Sequence, residues 1–347
     1  MVRRMVVIML AILVVVGIAP ANAQDDAAYR NKAAVRELLA QLSAGNVDSL
    51  VQHFVDPFRM NEAEPRLVEA SPQDLVPFVG ALIGAIPDLH IMPKVIIAEG
   101  DWVVAELSFT GTFSQPFNFA PFGPEPIPPT NERVSWAEMD FLRLDAEGKI
   151  VVQWVMGDSA AMFSALGLVP PSDEANRTGT LLSEPAGYGQ LTADALAATY
   201  TSGREATNIA LFREHLETIE SGGDTSGYYT EPYVLWEAGV PAATNARENF
   251  QFHQALSEAM PDLSVTPEIV IAEGDWVAGL VTISGSFTND LNMVGLGTVP
   301  PTGQSAVWQL GIIHRYNANG KVVEEFVEMD PAQVLVSLGL LSMEGAE

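Results

Sequence analysis

The heptapeptide Ile-Ala-Glu-Gly-Asp-Trp-Val occupies residues 97–103 and returns unchanged at 271–277, 174 residues later, in a chain with no other long exact repetition. The flanks agree as well. Ala-Ile-Pro-Asp-Leu at 85–89 is answered by Ala-Met-Pro-Asp-Leu at 259–263. Pro-Pro-Thr at 128–130 is answered at 300–302, after a net deletion of two residues. Solenoid units run about 20 to 50 residues, so a period this long makes each copy a whole domain with its own core. The chain is a tandem duplication, and comparing its halves separates what the fold needs from what was free to specialise.

The first 23 residues read as an export leader. Arg3 and Arg4 precede an apolar run over 5–18, and Ala21-Asn22-Ala23 has the small-x-small form of a signal-peptidase site. The run is shorter than the roughly 18 to 20 residues of a spanning helix, so cleavage before Gln24 and a periplasmic or extracellular location are expected over a retained anchor. The chain has no cysteine, which excludes disulfides, thiolate metal sites and lipid attachment through an N-terminal Cys. Its net charge of −27 becomes −29 when the two leader arginines leave, which argues against nucleic acid and anionic membrane surfaces as partners. Only four lysines are present, Lys32, Lys94, Lys149 and Lys321. A salt-rich habitat and the ordinary solubility of an exported protein both account for that.

In copy one, apolar Ala34, Val35, Leu38, Leu39 and Leu42 repeat at helical spacing over 27–44, and Gly45 ends the pattern. A second helix is expected over 47–55, stopping at Asp56-Pro57. A third begins after Ser71-Pro72 and runs to Ala85. From Leu89 the period changes to two, giving strands over 89–98, 102–113, 133–144 and 149–156, with tight turns at 99–101 and 146–148. Copy two repeats this order, with helices over 205–220 and 245–259, strands from 263 to 327, and Asn319-Gly320 as a turn. The expected fold class is α+β: two tandem cone-shaped domains, each with three helices packed on a curved antiparallel sheet. The domains are expected at 27–168 and 204–341. Residues 169–203 form a Pro-, Gly- and acid-rich linker with a possible short helix over 192–200.

The run Pro-Asp-Leu, Ile-Ala-Glu-Gly-Asp, Gly-Thr-Phe (111–113) or Gly-Ser-Phe (285–287), Pro-Pro-Thr, and Arg-x-x-x-x-Gly-Lys-Ile/Val (143–150, 315–322) resembles the SnoaL-like polyketide cyclase, or ester cyclase, domain of the nuclear-transport-factor-2-like superfamily. The resemblance covers about 130 residues twice. It implies a cone whose sheet and helices enclose an apolar pocket, on a fold that hosts cyclases, isomerases, dehydratases and proteins that only bind.

Chemistry is expected on the third long strand of copy one. There Val134, Trp136, Glu138, Asp140, Leu142 and Leu144 alternate onto one face. Across the repeat Glu138 and Asp140 become Leu310 and Ile312, and Glu106 on the preceding strand becomes Leu280. Desolvation on such a face would raise a carboxyl pKa and suit it to move a proton beside a carbonyl. Asp140 also falls on the acidic position that the family places in Met139-Asp-Phe-Leu-Arg143, so Asp140 is the expected general acid/base, with Glu138 and Glu106 as helpers. Trp136, Asn61 and Phe113 are the expected ligand contacts, Asn61 lying close to a position where the family often carries a pocket histidine. The chain departs from the family at Glu106, where Arg is common, and at Phe113 and Phe287, where His is common.

The five histidines show no metal-ligand spacing along the chain, so neither metal nor cofactor is expected. The phenylalanine- and proline-rich loop 113–130 is expected at the interface between the copies. Trp102, Trp154 and Trp276 are expected in core or interface, and Asp158 and Asp330 as caps on C-terminal helices. The expected partner is a small apolar ligand or substrate, with the copies paired as an intramolecular pseudo-dimer. Copy one would hold any acid/base chemistry and copy two would support or bind. A protein that only sequesters ligand and an envelope scaffold are the alternatives.

Overall fold

The computed structural model describes residues 21–61, 66–120, 125–157, 162, 164, 166, 180–181, 203–237, 239–293 and 297–340. The expected leader through residue 20, Asp158, and the short helix over 192–200 lie outside the described residues. Among the described residues no helix is long and apolar enough to cross a membrane.

Copy one runs α1 (Ala21–Ser43), α2 (Ser49–His53), β1 (Phe54–Asn61), β2 (Leu67–Ala70), α3 (Pro72–Ala85), β3 (His90–Glu99), β4 (Trp102–Thr112), β5 (Arg133–Leu144) and β6 (Ile150–Gly157). Copy two runs α4 (Glu205–Glu220), a 3-10 turn (Ser226–Tyr228), β8 (Tyr229–Glu237), β9 (Val240–Thr244), α5 (Ala246–Ala259), β10 (Ser264–Glu273), β11 (Trp276–Ser286), β12 (Leu291–Met293), β13 (Gly297–Val299), β14 (Ser305–Tyr316), β15 (Val322–Met329) and α6 (Pro331–Ser337). Between them, β7 (Thr180–Leu181) lies in the expected linker and pairs with β9. The strand order β2-β1-β6-β5-β4-β3 is matched by β9-β8-β15-β14-β11-β10.

The sheets are mixed rather than wholly antiparallel. The second expected helix gives way at Phe54 to β1, which pairs parallel with β6, as β8 does with β15. No alternation marks 54–61, because its burial is irregular and only Phe54 and Phe58 point fully inward.

Two of the repeated motifs support one another. Asp88 of Pro-Asp-Leu accepts from the N–H (2.6 Å) and hydroxyl (2.9 Å) of Thr112, in Gly-Thr-Phe. Asp262 does the same for Ser286 at 2.6 and 2.8 Å. Helix ends follow the expected chemistry. Ser71 and Asp74 form a capping box on α3, Asn245 accepts from Arg247 N to start α5, and Asp330 accepts from Ala332 N at 2.9 Å to start α6.

One face of each sheet packs on its own helices, with Val35, Leu38, Leu39, Phe54, Phe58 and Ile96 in copy one and Phe212, Leu216, Tyr229, Tyr233 and Trp308 in copy two. The opposite faces meet each other. Val95, Ile97, Val104, Met139, Phe141 and Met156 form one buried cluster with Trp236, Ile271, Trp276, Ala278, Leu280, Ile313 and Phe326. Trp102 and Trp154 pack at its margin. The approach is close: a Cβ on Gly311 would stand 2.6 Å from Met139 Sδ and 3.0 Å from the Phe141 ring.

The contacts are reciprocal at the repeated heptapeptide. Glu273 accepts from Ala98 N at 2.8 Å, and Glu99 accepts from Ala272 N at 2.9 Å. Equivalent residues exchange equivalent bonds, as at an isologous interface. Glu273 also pairs with Lys32 of α1. The described part of the 113–130 loop does not join this seam. Phe117 and Phe119 pack edge-on against Phe78 of α3 in their own domain, and Phe117 bridges Ile127.

Two outcomes are expected. Gly311→Ala forces Met139 and Phe141 apart and costs about 1–3 kcal/mol in urea unfolding. Glu273→Ala orphans the Ala98 amide and removes a partner of buried Lys32, costing about 1–3 kcal/mol, and Glu99→Ala costs less because Glu99 is exposed. Equal losses for the two carboxylates would contradict this ordering.

Candidate functional site

The alternation of β5 places Trp136, Glu138 and Asp140 on the face whose neighbours Val134, Leu142 and Leu144 belong to the copy-one core. The Trp136 indole lies flat on Phe109, centroids 5.0 Å apart at 9°, and its N–H donates to Glu138 Oε1 at 3.1 Å. Asp140 is 8% exposed, and its Oδ1 has no hydrogen-bond partner among the described residues. Burial pushes the Asp140 carboxyl well above the usual range and the nearby Glu138 adds to the rise, against a hydrogen bond from Gln153. Burial also pushes Glu138 up to about 7, opposed by the Trp136 indole. Two carboxyls with raised pKa values, two residues apart on one strand face, present a proton donor beside a proton acceptor near neutral pH.

Glu106 is not part of this group. In an antiparallel ladder directly opposed residues share a face, and the register sets Asp140 opposite Ala105 but Glu106 opposite Met139. Glu106 therefore points into the seam between the sheets. It is fully buried and its oxygens have no hydrogen-bond partner among the described residues. Its pKa is raised well above normal by burial and then by Glu328 of copy two, while Lys94 opposes. Lys94 Nζ donates to Gly239 O at 3.0 Å and stands 4.1 Å from the Trp236 ring. Glu328 accepts from Gly239 N at 3.1 Å.

The expected ligand contacts also divide. Asn61 clamps β1 to β6, donating to Val155 O at 3.0 Å and accepting from Val155 N at 2.9 Å, so its amide is engaged by backbone. Phe113 is fully buried in the copy-one core at the root of its loop. The structure brings together Trp136, Glu138 and Asp140 of the six.

Copy two contains a polar cluster that sequence reasoning missed. His215 from α4, His253 from α5 and His314 from β14 converge, the His253 ring centroid 6.0 Å and the His314 ring centroid 5.5 Å from that of His215. His314 Nε2 lies 2.9 Å from Glu325 Oε1, and the Tyr229 hydroxyl donates to the same oxygen at 3.2 Å. Thr225 Oγ1 lies 3.3 Å from His253 Nδ1. Burial, then the neighbouring histidines, holds His215 well below its ordinary pKa. Burial pushes His253 down to about 4 against the pull of Glu325. Among the described residues no three of these groups are placed to hold a metal ion.

The copies show how this arose. Asn31 and Asn208 donate to the carbonyls of the matching turn glycines, Gly100 and Gly274, which aligns α1 with α4. On that alignment His215 replaces Leu38, and on the matching strands Tyr229, Tyr233, His314 and Tyr316 replace Phe54, Phe58, Leu142 and Leu144, all core residues of copy one. Comparing helix positions as well as strand positions would have exposed the pattern. Spacing along the chain could not, because the three histidines come from segments far apart in sequence.

Several solved structures resemble one copy each. AclR, a candidate hydroxylase from Streptomyces galilaeus, shares 26% identity over 42% of this chain and 86% of its own, with a TM-score of 0.36. A SnoaL-like polyketide cyclase from Agrobacterium tumefaciens shares 20% over 40% and 98%, with a TM-score of 0.31. An LEH-like epoxide hydrolase from M. tuberculosis shares 15% over 40% and 90%, with a TM-score of 0.30. No curated protein matches the chain. The profile of the SnoaL-like polyketide cyclase family matches residues 32–166 and 236–338, more than half of the chain and both copies. This tandem protein belongs to the SnoaL-like polyketide cyclase family.

Proposed function

We propose that the cone of copy one binds a small apolar carbonyl compound and that Asp140 and Glu138 move a proton beside its carbonyl, as cyclisation and isomerisation both require. The observation that carries this reading is the inward Asp140 carboxyl, with one oxygen unpartnered, next to Glu138 on an otherwise apolar face. The ionised member of the pair removes a proton from the carbon next to the carbonyl. The protonated member donates to the carbonyl oxygen, so one proton enters the pair as one leaves. Trp136, held flat on Phe109, supplies a rigid apolar wall and restrains Glu138 through its N–H. We further propose that the leader directs export, and that the fused copies serve as an intramolecular counterpart of a dimer, a reading supported by the reciprocal Glu99 and Glu273 bonds.

A binding protein without chemistry is the second reading, favoured by the apolar character of the rest of the face. The scaffold alternative needs an outer sheet surface free for another protein, and that surface is the seam between the copies.

Proton transfer next to a carbonyl has a direct readout. Enolisable ketones incubated with the protein in D2O should gain deuterium at the carbon beside the carbonyl, by proton NMR. Asp140→Asn should slow that exchange about 10²–10⁴-fold. The rate should follow a bell in pH whose two limbs belong to the carboxyl pair as a unit. Ketones that bind without exchanging would select the binding reading.

The pair can also be tested without substrate. Glu138→Gln removes a neighbouring negative charge, so the Asp140 carboxyl should titrate at lower pH by carboxyl-carbon NMR. Because the folded pKa of Glu138 is raised, its contribution to stability is fully present below about pH 4.5 and is lost as pH rises through about 7. The Gln variant should therefore gain stability relative to wild type above pH 7. An unchanged Asp140 titration would show that the two carboxyls do not interact.

A further inference from the structure

Hydrogen-bond accounting fixes the tautomer of His215 in the copy-two cluster. Tyr229 has one hydroxyl hydrogen and gives it to Glu325 Oε1 at 3.2 Å. Its oxygen accepts from Asn249 Nδ2 at 3.2 Å. The long 3.4 Å contact with His215 Nε2 is then a donation by the imidazole, which makes His215 the Nε2–H tautomer. Its Nδ1 is left with a lone pair and has no hydrogen-bond partner among the described residues, in a side chain 2% exposed. His314 Nε2 lies 2.9 Å from Glu325 Oε1, and its Nδ1 lies 3.2 Å from the Tyr316 hydroxyl. The Tyr233 ring lies 4.4 Å from that of Tyr229, and its hydroxyl is likewise without a hydrogen-bond partner among the described residues.

Stability does not account for this arrangement. Copy one fills the same corner with Leu38, Phe54, Phe58, Leu142 and Leu144 on the same fold. A buried polar atom without a partner costs about 1–3 kcal/mol. The network leaves two such atoms, one acceptor and one hydroxyl, within the apolar core of copy two, with the Phe212 ring 5.2 Å from that of His314. Glu325 already receives three donors, from Tyr229, His314 and Asn249. A cation would find Glu325 already engaged. An anion would meet His215, which burial holds well below its ordinary pKa, in a chain of net charge −27.

We propose that copy two holds a second acid/base site, separate from the carboxyl pair of copy one, which takes a neutral apolar molecule bearing an ionisable hydroxyl such as a phenol or enol. His215 Nδ1 accepts the ligand's proton, and the Tyr233 hydroxyl donates to the oxygen that remains. As Nδ1 gains that proton, Nε2 passes its hydrogen to the Tyr229 oxygen and Tyr229 passes its own to Glu325 Oε1. One proton enters at Nδ1 and one arrives on Glu325, and His215 ends neutral in the opposite tautomer. The negative charge moves from Glu325 to the ligand, so the buried site carries the same net charge before and after.

The experiment titrates 15N-histidine-labelled full-length protein with 4-nitrophenol, at a pH where the free probe is neutral. In the unliganded protein His215 should show an unprotonated Nδ1 and a protonated Nε2. Saturation should reverse that assignment and bring up the visible absorption of bound nitrophenolate. His215→Gln should weaken probe binding about tenfold or more and remove the band, while Asp140→Asn keeps both. Tyr229→Phe cuts the relay with less change in shape and should also remove the band. The wild-type nitrogen spectrum decides the matter even if His215→Gln does not fold. The proposal is overturned if His215 keeps its nitrogen shifts at saturation, or if the band survives His215→Gln and is lost in Asp140→Asn. The second result would place the probe in copy one, and the copy-one reading would stand without this one.

Discussion

Each sheet is apolar on both faces, and the placement of every acid and helix follows from that. In β4, β5 and β11 most positions are buried regardless of parity, a pattern expected when a sheet is covered on both sides. The copy's own helices cover one face. Among the described residues the other is covered by the second sheet, through Phe141, Met139 and their neighbours against Trp276, Phe326 and Ile313. At about 25 cal/mol per Å² of apolar surface removed from water, these aromatic and branched side chains make the seam a major part of the hydrophobic stabilisation. Neither copy would present a soluble outer surface without it.

The same burial explains why acids in this molecule behave so differently. Exposed carboxylates such as Asp88 and Asp262 accept two hydrogen bonds each and are held below the usual range by them. Glu106, Glu324 and Asp140 sit where water is excluded and move upward instead. Glu324, which burial raises to about 7, accepts from the Trp236 indole N–H at 3.0 Å. Acidity in composition therefore says little about charge at these three positions, where burial favours the protonated form.

Much of the fold was legible because duplication shows each motif twice, and the period of two marked β3 to β6 within a residue or two and the stretch that holds their counterparts. Alternation also grouped Glu138 and Asp140 with Trp136 correctly. It could not place Glu106, because parity relates residues within a strand and only the register relates one strand to the next. The short β1 was lost since two buried phenylalanines four residues apart, Phe54 and Phe58, fit either a helix or a bulged strand. The histidine cluster was least visible. Its members occupy helix α4, helix α5 and strands β8, β14 and β15, and only tertiary packing brings them together.

The seam also has a genetic meaning. In an assembly of identical chains every substitution appears on both sides of the axis, so an acid added to one half is added to the other. Covalent fusion lifts that restriction. Glu106 faces Glu328 although copy two carries Leu280 at the first position and copy one carries Met156 at the second, an encounter that neither half meeting its own duplicate would produce. Joining the halves let their interiors drift toward carboxyls in one and imidazoles in the other, while the heptapeptide whose glutamates cross the seam stayed letter for letter the same.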